Sequence, residues 1–394
     1  FRRVLFRSLW RITMNKFLIT LVAALSLVVT NIASADVKIS GMTGVLASMG
    51  DKVDGGITSK FNRFMFTADA TMDNGWTYSG SFATEIKSNR SFALPTSNSV
   101  SIGTDMATIS LGATADAITS LVPRIGAMVP GGGHDAGYQF LAGGDSGFGT
   151  AGVGGQVAFA EAYYAYNSAR VNVALPSVNG FSIQATYTPA MDQTDAVANT
   201  RTNNANSASH GEATHVAVQY SGEMDGASYT IGLGSITGNS EGNFATSTLS
   251  TYDNNDLSSF TGAIKISMGN ITLGAHGYDN NDSFGAASDA NKAANSGYTV
   301  AMEYAMGNIT LGAGIAHQSK TLGTRAATNQ ATPAAGTAGN VYEDDLTMFG
   351  IGYNMGGGVN AFVQYNKASY TDGNHATVTD TDPSVLSAGI TLGF

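Results

Sequence analysis

Cysteine is absent from this 394-residue chain, which has only seven prolines and 12% charged residues. Without thiols there is neither a disulfide framework nor a thiolate metal site, so stability has to come from packing and backbone hydrogen bonds. Basic charge is scarce too: 19 Lys and Arg stand against 29 Asp and Glu, a formal −10. That balance argues against a nucleic-acid or anionic-membrane binder, where a basic patch is expected. Beyond residue 35 no apolar run approaches the roughly 20 residues that a membrane helix needs. If the chain crosses a membrane, it crosses as strands.

The one long apolar run lies near the start. Met14 opens MNKFLITLVAALSLVVTNIASA, with Lys16 as a basic lead, an apolar stretch over 17–29, and Ala33, Ser34 and Ala35 as a small-residue cleavage site. This order predicts a secretory signal peptide over 14–35 and a mature chain from Asp36. Residues 1–13, which open FRRVLFRS, look like translated sequencing adapter and are set aside from fold reasoning. Removing residues 1–35 takes five basic residues (Arg2, Arg3, Arg7, Arg11, Lys16) and no acid, so the mature balance is −15.

What the mature chain does have is a period of two. In GFSIQATYT, Phe181, Ile183, Ala185 and Tyr187 alternate with Ser182, Gln184 and Thr186; in GYTVAMEYA, Tyr298, Val300, Met302 and Tyr304 alternate with Thr299, Ala301 and Glu303. One face is apolar and the other small or polar, the pattern of strands. The segments run about 10 to 14 residues, roughly what a tilted strand needs to cross a bilayer. Short turns at 73–75, 104–106, 178–180, 222–226, 269–270, 307–308 and 355–358 alternate with long polar connections. The long ones are expected near 50–56, 89–97, 114–162, 190–211, 238–255, 281–295, 321–343 and 371–383. Such alternation predicts an outer-membrane barrel with short periplasmic turns and long external loops. Strand starts near 36, 57, 76, 98, 107, 163, 180, 212, 227, 257, 271, 296, 309, 344, 359 and 385 make sixteen. Sixteen antiparallel strands form a closed all-β transmembrane barrel with an aqueous channel rather than a packed core. Aromatic residues gather toward strand ends (Trp76, Tyr78, Tyr187, Tyr220, Tyr304, Tyr353), where amphipathic rings favour the membrane interface. The repeat SMGNITLGA (267–275) and AMGNITLGA (305–313) reads as reuse of one tight turn.

The whole mature chain resembles the general porins of Gram-negative bacteria. The resemblance is carried by ADVKISG at the start, KFNRFMFTADATMDNGW, SVSIGTDMATISLGA, and YNSARVNVALPSVNGFSIQATYTP after the longest connection. It implies a homotrimer of sixteen-stranded barrels, passive diffusion of small hydrophilic solutes, no cofactor, no catalytic residues, and an outer-membrane setting with lipid, lipopolysaccharide and the barrel assembly machinery as partners. It further implies that the third long connection, 114–162, folds into the lumen and narrows it.

Alternation by itself puts Lys38, Arg63, Asp69, Glu85, Lys87, Arg170, Lys265 and Glu303 on the polar, lumen-facing side. Arg63, in RFMF, matches a wall arginine of the family. Elsewhere the basic cluster is thinner than the family pattern: Ala113 and Thr114 stand where many members have arginine after strand five, and Tyr164 where an arginine precedes the Asn-Ser of strand six. The connection offers Asp116, Asp135 and Asp145 against Arg124. A weakly charged constriction with a mild cation preference follows. The ending LSAGITLGF predicts the closing strand, lipid-facing at every second residue, and its Ser387, Gly389, Leu392 and Phe394 resemble the family's C-terminal assembly signal.

Other patterns carry less. GDSG (144–147) matches the nucleophile segment of trypsin-like proteases without the surroundings that chemistry needs. GFGTAG (147–152) meets a dinucleotide fingerprint but lacks the strand-turn-helix around it. The six histidines have no metal-ligand spacing and are expected as exposed loop or lumen residues. The acidic clusters at 252–256, 278–282 and 342–345 lack the calcium-loop order and are read as solvated loops. Within channels the alternative is a substrate-specific porin; outside them, a barrel-based hydrolase or a structural or adhesive barrel.

Overall fold

The structure, a computed structural model, describes residues 36–50, 53–85, 97–131, 169–190, 210–240, 256–281, 295–321, 341–372 and 384–394. Sixteen strands run in chain order: β1 (Asp36–Gly50), β2 (Val53–Thr71), β3 (Thr77–Glu85), β4 (Ser97–Gly103), β5 (Thr108–Gly112), β6 (Arg170–Ala174), β7 (Phe181–Ala190) and β8 (His210–Met224). They continue as β9 (Ala227–Ser240), β10 (Leu257–Met268), β11 (Ile271–Asp279), β12 (Asn295–Met306), β13 (Ile309–Thr321), β14 (Val341–Gly356), β15 (Val359–Asp372) and β16 (Ser384–Gly393). Each pairs antiparallel with its sequence neighbours, and β1 pairs with β16, so the sheet closes. Closure leaves no strand edge to satisfy in hydrocarbon, which is why a membrane permits this sheet.

Side-chain alternation assigns the two faces. Along β10, Leu257, Ser259, Thr261 and Ala263 are buried while Phe260 and Ile264 are exposed; along β16, Val385 and Ser387 are buried while Leu386, Ile390 and Leu392 are exposed. The outer face is therefore a belt of bare apolar side chains, the arrangement a lipid-facing wall requires. Aromatic rings thicken that belt: Phe66 stacks on Phe82 at 4.6 Å, and Tyr220 lies between Phe181 and Tyr229 at 4.5 and 5.8 Å.

The short turns fall where the sequence puts them. Asn179 and Gly180, and Asp225 and Gly226, all have positive φ (52°, 86°, 52°, 80°), the conformation that two-residue hairpins between right-twisted strands demand. One boundary differs from expectation. The connection expected over 50–56 shrinks, because β1 and β2 pair out to Gly50 and Val53; polar residues there extend a hairpin instead of leaving the sheet. Strand six, expected from 163, is described over Arg170–Ala174, and its expected start lies outside the described residues.

Candidate functional site: a chain segment across the lumen

After Gly112 the chain leaves the wall. Gly112 has φ 114°, and its neighbour Ala113 donates its N–H to Asn98 O; a Cβ on Gly112 would strike the Asn98 carbonyl, so this exit requires glycine. One turn of helix, α1 (Ala117–Leu121), follows, then a 3-10 turn over Gly126–Met128. Ile118, Val122, Ile125, Met128 and Val129 are all buried. Contacts of this segment run from Arg170 on β6 to Phe362 on β15. Only a segment lying inside the barrel can touch so many strands.

Its root is held by polar groups. Asp116 caps α1 by accepting from Thr119 N–H at 2.9 Å, and its other oxygen accepts from Arg170 Nη1 at 3.2 Å. Both partners of that ion pair are buried, with side chains 1% and 2% exposed. Burial alone would raise the Asp116 carboxyl; the His215 ring, the Thr119 N–H and the Arg170 guanidinium outweigh it and hold the group at about 2. Ala117 N–H donates to Thr186 Oγ1 at 2.8 Å, Asn172 Nδ2 to Ala115 O at 2.7 Å, and Gln219 Nε2 to Leu121 O at 2.7 Å. Asn172 also bonds Thr114 and receives the Thr186 hydroxyl.

Past the root the segment is held by shape. Gly232 faces Leu121 and Pro123, Gly234 faces Ile118, Gly274 faces Ile125 and Met128, Gly312 faces Val129 and Pro130, and Gly350 faces Pro130. A Cβ at any of these five would overlap atoms of the segment. The inner wall thus carries a lane without side chains, and the segment lies in it with its apolar residues against the wall. Each fully buried Ile, Val or Met there contributes roughly 1.5–3 kcal/mol to the docking.

The sequence profile of the Gram-negative porin family matches residues 20–374. The chain belongs to the Gram-negative porin family. No curated protein sequence matches this porin. Among solved structures, the anion-selective porin from Comamonas acidovorans is similar with a TM-score of 0.60 at 13% identity, over 92% of this chain and 100% of that one. A loop L8 deletion mutant of OmpT, an outer membrane protein of Vibrio cholerae, gives 0.59 at 13% identity, over 92% of this chain and 100% of that one. A mutant of the Rh. blastica porin gives 0.53 at 14%, over 91% and 100%. These identities establish a shared fold. With the family, they make the protein an outer-membrane β-barrel channel.

In this porin the residues singled out from sequence fall into three groups. Lys38 and Asp69 face the lumen and pair at 3.7 Å with exposed side chains; Arg63 is exposed and sits opposite Glu85 on β3. Arg170 faces inward as alternation predicts, and Asp116 belongs to the third connection, but neither lines water: both are buried and paired with each other at the root of the segment. Expectation placed Arg170 at the constriction because alternation reports the side of the sheet, not what covers it, and Asp116 because the resemblance folds its connection into the lumen. Arg124 is half-buried between α1 and the 3-10 turn. Lys87, Asp135, Asp145 and Tyr164 lie outside the described residues, as does the connection beyond Gly131.

Sequence reasoning missed Asn172, Thr186, Gln219 and His215, which hold the root. It expected the histidines as exposed loop or lumen residues; His215 and His276 are on the inner face of the sheet but covered, His215 fully buried and His276 6% exposed against the Thr261 hydroxyl, 2.7 Å away. One signal was available. The repeated NITLGA places Gly274 and Gly312 at the same register on the inner face, and both receive the segment; the repeat reuses a docking glycine as well as a turn. Ser387 and Gly389 of the ending face inward while Leu392 and Phe394 face outward, and Phe394 exchanges two backbone hydrogen bonds with Gly41 at the seam, of 2.9 and 3.0 Å.

Proposed function

We propose that this porin is a passive diffusion channel for small hydrophilic solutes and ions, narrowed by the connection that leaves β5, and not an enzyme. The observation that carries this reading is the packing of residues 113–131 along the inner wall from β6 to β15. A lumen partly filled from one side selects by size and by the charge left on the remaining wall. The mature charge of −15 favours a mild cation preference, confined at physiological salt to about 8 Å from the wall. Arg63 opposes it locally. Asp135 and Asp145 belong to the same connection and would add to it if they face the lumen.

The functional unit in this reading is a homotrimer set in lipid and lipopolysaccharide and delivered by the barrel assembly machinery. Family resemblance supports it, and the in-vitro folded OmpT of Vibrio cholerae, 13% identical to this chain, has been solved in a trimer form. Residues 14–35 would serve as the export signal; amino-terminal sequencing of protein from outer membranes should begin at Asp36. Planar-bilayer recording tests the channel itself. Large ohmic conductance arriving in triplets of equal steps is expected, and correctly folded protein that never conducts would sink the proposal.

A further inference from the structure

The lipid-facing wall is not level. On the outer face of β10–β14 two short side chains stand among long ones: Ala313 is paired across the sheet with Met302 and Phe349, and Ala275 with Ile264 and Val300. The four larger neighbours project outward and are 36–53% exposed. Between them lies a trough of about 470 Å³, apolar throughout apart from the Thr347 hydroxyl. That volume is within the roughly 300–1,000 Å³ of small-ligand sites, and the lining is hydrocarbon.

Position says what fills it. These six residues stand five to seven positions from the short turns at Gly269, Gly307 and Gly356. At roughly 2.4 Å of height per residue in a tilted strand, the trough sits about 12–17 Å above the periplasmic end, inside a belt about 25 Å tall. Toward the turns the wall continues apolar through Ile271, Leu311 and Ile351, with Tyr304 and Tyr353 at its lower margin. Away from them it becomes polar: His317 and Asp345 share a hydrogen bond of 2.8 Å on the outer face, and Tyr298 stacks on the His317 ring at 5.4 Å. A hydrocarbon chain therefore reaches the trough without obstruction from the periplasmic leaflet, and from the other leaflet only across a polar pair. A second barrel fits poorly, since two convex walls touch along their ridges and leave a depression empty. The trough is continuous with the lipid-facing belt, so its natural occupant is lipid.

We propose that this trough is a docking site for one acyl chain of a glycerophospholipid of the periplasmic leaflet. Lipid tails are as apolar as the wall, so no hydrophobic gain drives the docking. What holds the chain is contact: a level wall touches it from one side, whereas the trough touches it from three, and dispersion sums over those atoms. The chain is thus retained where neighbouring lipids exchange. This inference goes beyond the channel reading and does not depend on it, because it concerns the outside of the barrel.

The test is native mass spectrometry of the full protein extracted from outer membranes in mild detergent. A bound species of phospholipid mass is expected on the unaltered protein. Ala313→Leu, which fills the trough with a branched side chain, should lower the retained fraction about tenfold. Ala275→Leu should do the same and carries the test if the first variant does not assemble. Ala185→Leu is the control, since that alanine is exposed on the outer face of β7, away from the trough, and should change nothing. Four outcomes overturn the proposal: no phospholipid on the unaltered protein, retention undiminished by both filling variants, retention lowered equally by Ala185→Leu, or lipopolysaccharide as the species displaced. Copies that separate in Ala313→Leu while keeping their lipid would overturn it too, assigning the trough to a neighbouring barrel. Conductance should be the same in all these proteins, so a barrel that does not conduct bears on the channel reading alone.

Discussion

At the scale of single residues, Asp116 does the most. It caps α1, binds Arg170 and stands beside His215, so removing its charge breaks a buried ion pair. Asp116→Asn should lower stability by roughly 3–5 kcal/mol, read from thermal unfolding in detergent. The sign of its pH dependence follows from a carboxyl held at about 2 against the ~3.9 of a free aspartate. The stabilisation is complete above about pH 4 and is lost as pH falls through about 2. The gap between wild type and Asp116→Asn should therefore persist from pH 8 to 4 and shrink only below; a gap that closes by pH 5 would contradict this account. Arg63 is the opposite case, exposed and at the lumen. Arg63→Ala should raise cation over anion preference, and an unchanged reversal potential would remove Arg63 from the constriction.

At the scale of elements, the lane of glycines decides where the segment lies. Gly350→Ala would drive a methyl into the Pro130 carbonyl, and backbone cannot yield as a side-chain tip can. A loss of about 1–3 kcal/mol is expected, with larger conductance where the segment is displaced instead. Gly80→Ala provides the contrast, since nothing lies within 4 Å of its Cβ, and should leave both quantities unchanged. The sixteen strands themselves were legible because a period of two and a turn chemistry repeat throughout the chain. The lane was not, because glycines at 232, 274, 312 and 350, on four different strands, line up along the inner wall only when strands of known register are laid side by side.

At the scale of the molecule, the barrel closes through β1 and β16. Phe394 is 58% exposed on the outer wall, packs edge-on against Phe64 at 5.9 Å, and bonds its backbone to Gly41. Its ring adds little to the lumen and much to the seam. Deleting Phe394 should cut the yield of folded barrel several-fold, measured by heat-modifiable migration of outer-membrane extracts, while barrels that do form conduct normally. Reduced conductance per channel at normal yield would reverse that assignment.

Alternation, turn residues and the count of segments were sufficient to determine a sixteen-stranded antiparallel barrel, its lipid-facing residues and its closing strand, because these properties are local and repeat along the chain. Which inward residues meet water was decided only by the tertiary structure. Lys38, Arg63 and Arg170 share the inner face of the sheet, yet a segment rooted at Asp116 and docked in a lane of glycines buries Arg170 and leaves the first two open. Burial on the inner wall depends on what crosses the lumen, and no single strand carries that information.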